Sequence, residues 1–279
     1  PFDFESVDHL ESIGVPFYKI ASGDITYHDF LRYVAKTGKP IVLSTGASTL
    51  SEIRDAVGVI KKAGNDQIIL LHCTLAYPTP LHKANLLMMR HLQKEFPDCL
   101  IGLSDHTPGI AADVAAALLG AVMIEKHFTH TPGPAAGAGK VGDSPDHDIG
   151  VGVATFIDLV RHIRENESRG ASIRMDLGLD EAIGLIKKGK NPEVLGIISV
   201  KEIDNDVELK ARAQARRSVV AEMPLAAGTI ITREMMSRGV FAIKPPGTGI
   251  TPYEFGFFEG KKVKADIKAD TVLGWDNFL

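Results

Sequence analysis

Residues 40–64 read PIVLSTGASTLSEIRDAVGVIKKAG. The stretch opens with a short apolar run, Pro40 to Ser44, whose branched side chains fall on both faces. A strand buried on both sides of a parallel sheet has this character. Ser48 or Thr49 then offers a helix N-cap, with Glu52 as its capping-box partner. An amphipathic segment follows from Leu50 to Ala63, and Gly64 stands where a helix C-cap belongs. The stretch is one βα unit.

The same alternation extends in both directions. Further strands are expected at Phe17 to Ala21, Ile68 to His72, Leu100 to Leu103 and Ala121 to Glu125. Helical patterns run over His28 to Thr37, Leu86 to Phe96, Ile110 to Leu119 and Ala154 to Glu165, with Gly38 and Gly120 as further C-cap glycines. Repeated βα units mean either an open doubly wound sheet or a (β/α)8 (TIM) barrel. No G-x-G-x-x-G follows any strand, which weakens a dinucleotide-binding version. Five strands do not close a barrel of eight, and Phe4 to Ile13 reads as a helix with no strand before it. In the barrel reading the chain is N-terminally incomplete, lacking roughly three βα units.

The pattern changes near Gly178. Leu179 to Lys187 and Asn205 to Ala213 read as short helices in a polar linker, and short β-like runs follow Arg216: Ser218 to Ala221, Thr229 to Thr232, Gly239 to Ile243 and Lys262 to Lys264. The expected division is a barrel domain over 1–178, a linker over 179–215 and a small β-rich domain over 216–279. Pro132 to Gly139 reads as a flexible loop.

Composition narrows the function classes. Lys and Arg number 31 against 35 Asp and Glu, a net charge of −4 that disfavours nucleic acid or an anionic membrane as partner. No apolar run approaches the roughly 18 residues of a membrane-spanning helix. Two cysteines, Cys73 and Cys99, exclude a disulfide framework and point to a reducing cytoplasm.

In parallel α/β sheets ligands sit at the carboxyl ends of the strands. Those ends carry Lys19, Ser22 and Asp24; Ser44; His72, Thr74 and Tyr77; Ser104, Asp105 and His106; and Glu125, Lys126 and His127. His106 and His127, on adjacent strands, make a workable pair of ligands for a divalent metal with positions left for substrate, or two hydrogen-bonded structural histidines. Lys19, inside an apolar strand, reads as an anchor for phosphate or carboxylate helped by Ser22, Ser44 and Ser104, as a Schiff-base nucleophile, or as a solvent-facing lysine. Glu125 lies two residues before His127 and shares its side of the strand, suited to proton transfer, whereas Lys126 faces the other way and reads as structural. Asp146 and His147 follow the Gly/Pro-rich loop. Arg216 and Arg217 precede the first β-like run of the small domain.

These residues sit in ordered motifs: PFDFESVDHLESIGVPFYKIASGD at the start, then LSTGAS, LLHCTLAYPTP, IGLSDHT, IEKHFT and SPDH. Together they resemble the N-acetylneuraminate (sialic acid) synthase family over almost the whole chain. RRSVVA, AAGTII and KPPGTGITP resemble the antifreeze-like domain at the C-terminus of that family.

The resemblance implies a (β/α)8 barrel that condenses phosphoenolpyruvate with an N-acetylated sugar, N-acetylmannosamine or a relative. The product is a nine-carbon 2-keto acid, and phosphate is released. It implies that His106 and His127 bind a divalent cation, manganese in first place, with magnesium or cobalt as alternatives. Lys19, Ser22, Ser44 and Ser104 match phosphoenolpyruvate contacts, and Tyr77 falls in the CTNxYPTP substrate motif. Glu125 and Asp146 match acidic residues that contact the sugar and assist proton transfer. Arg217, ahead of its neighbour Arg216, matches an arginine that the antifreeze-like domain brings over the partner's site in a domain-swapped homodimer. Two departures stand out: Leu75 occupies a position where the family often has Asn, and the 130–144 loop is longer than usual. A Schiff-base pyruvate aldolase acting through Lys19 and a non-catalytic sugar-binding relic remain as alternative readings.

Overall fold

The computed structural model describes residues 1–129, 150–168, 179–196 and 201–279. Five short strands form one parallel sheet in sequence order: β1 (Tyr18–Ile20), β2 (Ile41–Ser44), β3 (Ile68–Cys73), β4 (Leu100–Asp105) and β5 (Ile124–Lys126). They are the five expected from the apolar runs. Helices α1 (Phe4–Ser12), α2 (His28–Ala35), α3 (Leu50–Lys62), α4 (Met88–Glu95), α5 (Ala111–Leu118) and α6 (Val153–Ser168) alternate with them. Thr49 caps α3, and the reciprocal bond from Glu52 completes the capping box.

The two-residue period of the strands sorts their side chains. Ile20, Leu43 and Leu70 point outward and pack with Phe30, Leu31, Ile53, Ile60 and Leu92 of the helices in one continuous core. The alternate set, which includes Lys19, Ser44, Cys73, Ser104 and Glu125, lines the concave side. Gly102 belongs to that set, and a Cβ there would lie 2.3 Å from the Met123 carbonyl oxygen. The sheet is strongly curled. β1 and β5 are its edges, yet Lys19 and Glu125 from those edges form an ion pair. The architecture is a half-barrel with helices outside.

The segment expected as a polar linker with short helices, 179–215, holds both helices and also packs in part against the barrel. Ile186 of α7 (Leu179–Lys188), together with Val194 and Leu195, joins the barrel core. The amides of Leu86 and Leu87 donate to the carbonyls of Val194 and Leu195. The charged residues between these few apolar ones hid the packing. Past residue 200, Lys201, Asp204 and Glu208 are buried and lead into α8 (Leu209–Ala215).

The small domain holds an antiparallel sheet, β7 (Phe241–Lys244), β6 (Ser218–Ala221) and β8 (Thr271–Val272), with β6 central. Val219, Ile231, Phe241, Phe255, Val263 and Leu273 are among its own core residues. The expected strands at Thr229 to Thr232 and Lys262 to Lys264 supply only isolated bridges, Ile230 to Lys262 and Val263 to Phe278. The two-residue β8 left no periodic signal to read. Among the described residues no helix is long and apolar enough to cross a membrane.

Candidate active site at the strand ends

A cavity of about 680 Å³ opens where the carboxyl ends of the five strands face the small domain. The period-2 geometry and the short turns after each strand bring Lys19, Ser22, Ser44, Tyr77, Ser104, His106, Glu125, His127 and Arg217 to its walls. Asp146, His147 and the whole 130–144 loop lie outside the described residues.

Lys19 Nζ lies 3.3 Å from Glu125 Oε2 and donates to the Ile20 carbonyl at 3.2 Å. Both side chains keep some exposure, so the ammonium is paired at the cavity wall rather than sealed in apolar core. The Ser44 hydroxyl is buried and has no hydrogen-bond partner among the described residues. An unmet buried hydroxyl costs about 1–3 kcal/mol, so a ligand oxygen there would relieve a standing penalty. Gly46 keeps the neighbouring hydroxyl clear. A Cβ on it would meet Ser22 Oγ at 3.1 Å and Cys73 Sγ at 2.9 Å. Burial pushes the Cys73 thiol up to about 12, so it stays protonated and inert.

His106 and His127 face each other with ring centroids 5.3 Å apart and planes at 60°. Tyr77 packs against both, 4.2 Å from His106 and 5.8 Å from His127. His106 Nδ1 is 2.9 Å from the Thr74 carbonyl oxygen. A carbonyl only accepts, so Nδ1 carries the proton and Nε2 keeps its lone pair. Burial holds the His106 imidazole below its ordinary range, which favours the neutral, ligating form. Two imidazoles sharing a cation at the usual metal–nitrogen length have centroids roughly 4.5–5.5 Å apart. The pair therefore suits a divalent cation. No group of three or more His, Cys, Asp or Glu suited to a metal occurs among the described residues, so water and substrate oxygens would complete the shell.

Lys126 does face away from Glu125 and His127. It is buried, paired with Asp105, and donates to the Thr107 carbonyl, with Asp113 at 3.6 Å. Burial and the nearby Asp105 raise the Asp113 carboxyl above its usual range. This buried cluster pins β5 to β4 and so fixes the residues on either side of Lys126.

His72 does not reach the cavity. Its Nε2 meets the Ala84 carbonyl oxygen at 2.7 Å on the helix side of β3, which makes it a structural histidine. Arg217 of the small domain borders the cavity of its own chain and pairs with Asp24, whose side chain is 2% exposed. Arg216 turns the other way. Asp24 is the cavity residue whose place the sequence understated: it follows Ser22 by two positions in one strand-end turn, but its arginine partner lies 193 residues on.

The NeuB family model matches residues 1–173 and the SAF domain model residues 216–279. The chain is 34% identical over 276 residues to the N,N'-diacetyllegionaminic acid synthase of Campylobacter jejuni, covering 98% of this chain and 70% of that one. It is 30% identical over 271 residues to the mouse N-acetylneuraminate-9-phosphate synthase, covering 97% and 64%. The crystal structure of the Bacillus subtilis spore coat polysaccharide biosynthesis protein SpsE matches with a TM-score of 0.77 at 30% identity, over 99% of this chain and 71% of that one. The chain is an enzyme of the NeuB (N-acetylneuraminate synthase) family, a half-barrel followed by an antifreeze-like SAF domain.

Proposed function

We propose that the chain condenses phosphoenolpyruvate with an N-acetylated sugar aldehyde to a nine-carbon 2-keto acid of the sialic-acid type, with release of phosphate. The observation that carries this reading is the convergence of Lys19, three serine hydroxyls and the His106–His127 pair on one cavity. The acceptor is N-acetylmannosamine or a diacetylated deoxy relative, a choice supported by the legionaminic acid synthase of Campylobacter jejuni.

Lys19 binds an anionic group of phosphoenolpyruvate, and the hydroxyls of Ser22, Ser44 and Ser104 donate to its oxygens. A divalent cation held by His106 and His127, manganese in first place, would polarise the aldehyde oxygen. The methylene carbon of phosphoenolpyruvate then bonds to the aldehyde carbon, whose oxygen takes up a proton. Water adds at the former enol carbon and phosphate departs. Glu125, 3.3 Å from Lys19, is placed to hold or pass the proton, and Asp146 is proposed to contact the sugar. Arg217, held by Asp24, covers the cavity from the small domain and limits water.

The engagement of Lys19 by Glu125 and a carbonyl favours an anchoring role over a Schiff-base nucleophile. We place the enzyme in the cytoplasm as a homodimer. Exchange of small domains in such a dimer would preserve the Arg217–Asp24 contact between subunits, because swapping trades identical elements. Phosphate release tests the reading. It should require phosphoenolpyruvate and the sugar together, and release from phosphoenolpyruvate without the sugar would overturn it.

A further inference from the structure

Glu208, Arg212 and Arg216 occur at every fourth position along and beside α8, so their side chains share a face. All three reach the turn after β2. Glu208 Oε1 accepts from the amides of Ala47 and Leu75, each at 2.7 Å, and its Oε2 accepts from the Asp204 amide at 2.8 Å. Arg212 donates to the Ala47 carbonyl and to Glu52 at 2.6 and 3.0 Å. Arg216 donates to the Ser22 carbonyl at 2.6 Å, and to the Ala47 carbonyl and the Ser48 hydroxyl at 2.9 Å each. Ala47 adopts φ 46°, a left-handed conformation that a Cβ disfavours. Both polar groups of its peptide are therefore held from outside the barrel strands.

The same helix is wedged between the two domains. A Cβ on Gly23, in the turn after β1, would lie 2.6 Å from the Ala215 carbonyl oxygen. A Cβ on Gly247 of the small domain would lie 2.1 Å from Arg216 Cβ, and the Gly247 amide donates to the Ala213 carbonyl at 2.8 Å. Movement of the small domain thus bears directly on the turns after β1, β2 and β3.

We propose that Glu208, Arg212 and Arg216 are positioning residues. They form a clamp that sets the turns carrying Ser22 and Leu75 and the turn directly after Ser44, and couples the seating of the small domain to the anion-binding hydroxyls. None of the three charged groups is assigned to the cavity itself. The link to substrate rests on the reading that those hydroxyls take phosphoenolpyruvate.

Hydrogen–deuterium exchange and phosphoenolpyruvate titration of the whole chain test the clamp in Arg216→Lys and Glu208→Gln. A lysine presents one nitrogen and cannot span the acceptors that the guanidinium bridges. Hydrogen bonds to charged groups are strong enough that exchange at residues 23–26 and 45–48 should quicken by on the order of tenfold or more in Arg216→Lys. Exchange in β6 and β7 should not change. The dissociation constant for phosphoenolpyruvate should rise at least about fivefold, since the hydroxyls lose their placement. Glu208→Gln keeps the shape but weakens the acceptor, and should loosen Ala47 and Leu75; it decides the matter if Arg216→Lys does not fold. Unchanged exchange at these turns, equal acceleration throughout both domains, or loosened turns with unaltered phosphoenolpyruvate affinity would each overturn the clamp. A wild-type chain that binds no phosphoenolpyruvate would instead count against the proposed function, while the exchange comparison still decides whether the clamp exists.

Discussion

Lys19 and Glu125 come from opposite edges of a five-stranded sheet, and their charged ends meet at 3.3 Å. In a flat sheet four strand spacings would separate β1 from β5 by roughly 19 Å, beyond the combined reach of the two side chains. The contact therefore reports the curl of the half-barrel. It also brings the first and last strand ends to one site, so that a cation anchor and a proton-handling carboxylate work on the same ligand.

Replacing Lys19 with Met should lower kcat/KM for phosphoenolpyruvate by on the order of 10²–10³, the usual effect of removing one charged stabiliser from a desolvated site. Steady-state kinetics checks this. Borohydride treatment with pyruvate should leave Lys19 unmodified in the wild-type chain, and a covalent adduct there would establish the Schiff-base chemistry instead.

His106→Ala should sharply weaken manganese binding while the fold persists, because the residue stands at a strand end facing a cavity. Electron paramagnetic resonance of added manganese gives the readout without reference to turnover. With only two protein ligands the wild-type affinity should be modest, and loss of one should weaken it by about 10² or more. Undiminished binding in His106→Ala would move the metal elsewhere.

The pairing of Arg217 with Asp24 should be visible in stability. Arg217→Ala leaves a carboxylate buried without its partner, a change that costs about 3–5 kcal/mol in buried pairs. The expected loss is near the lower figure, since Arg217 retains some exposure. Adding Asp24→Asn should recover part of it. Denaturant titration of the two variants makes the comparison.

Much of this was legible along the chain. Branched apolar runs gave the strands, and the polar residues at and just beyond their carboxyl ends gave Lys19, the serines, Glu125 and the facing histidines. Thr49 and Glu52 announced their helix start. The clamp was not legible, because Glu208, Arg212 and Arg216 read as an ordinary charged helix until the fold supplies the peptide groups they bind. His72 misled for the opposite reason. It lies at a strand end like His106, but the two-residue period turns it toward the helices.

That turned histidine gives the fold a pH dependence. Burial depresses His72 from its ordinary 6.5 to about 3. Between those values the unfolded chain binds a proton that the folded chain refuses. The stabilisation from a neutral His72 is complete above pH 6.5 and is lost as pH falls toward 3, by up to about 1.4 kcal/mol per pH unit. His72→Gln should flatten the acid limb of a stability–pH curve. An unaltered slope would show that His72 is not held neutral.

Carbon connectivity in the product tests the proposed reaction most directly. Phosphoenolpyruvate labelled with carbon-13 at its methylene carbon and N-acetylmannosamine labelled at its aldehyde carbon are incubated with the enzyme and manganese. A diacetylated deoxy-sugar with the same label is run in parallel. Carbon NMR should show a one-bond coupling between the two labels in a 2-keto acid, formed in step with phosphate. Phosphate accompanied by labelled pyruvate and uncoupled sugar would mean hydrolysis without bond formation, and would contradict the condensation.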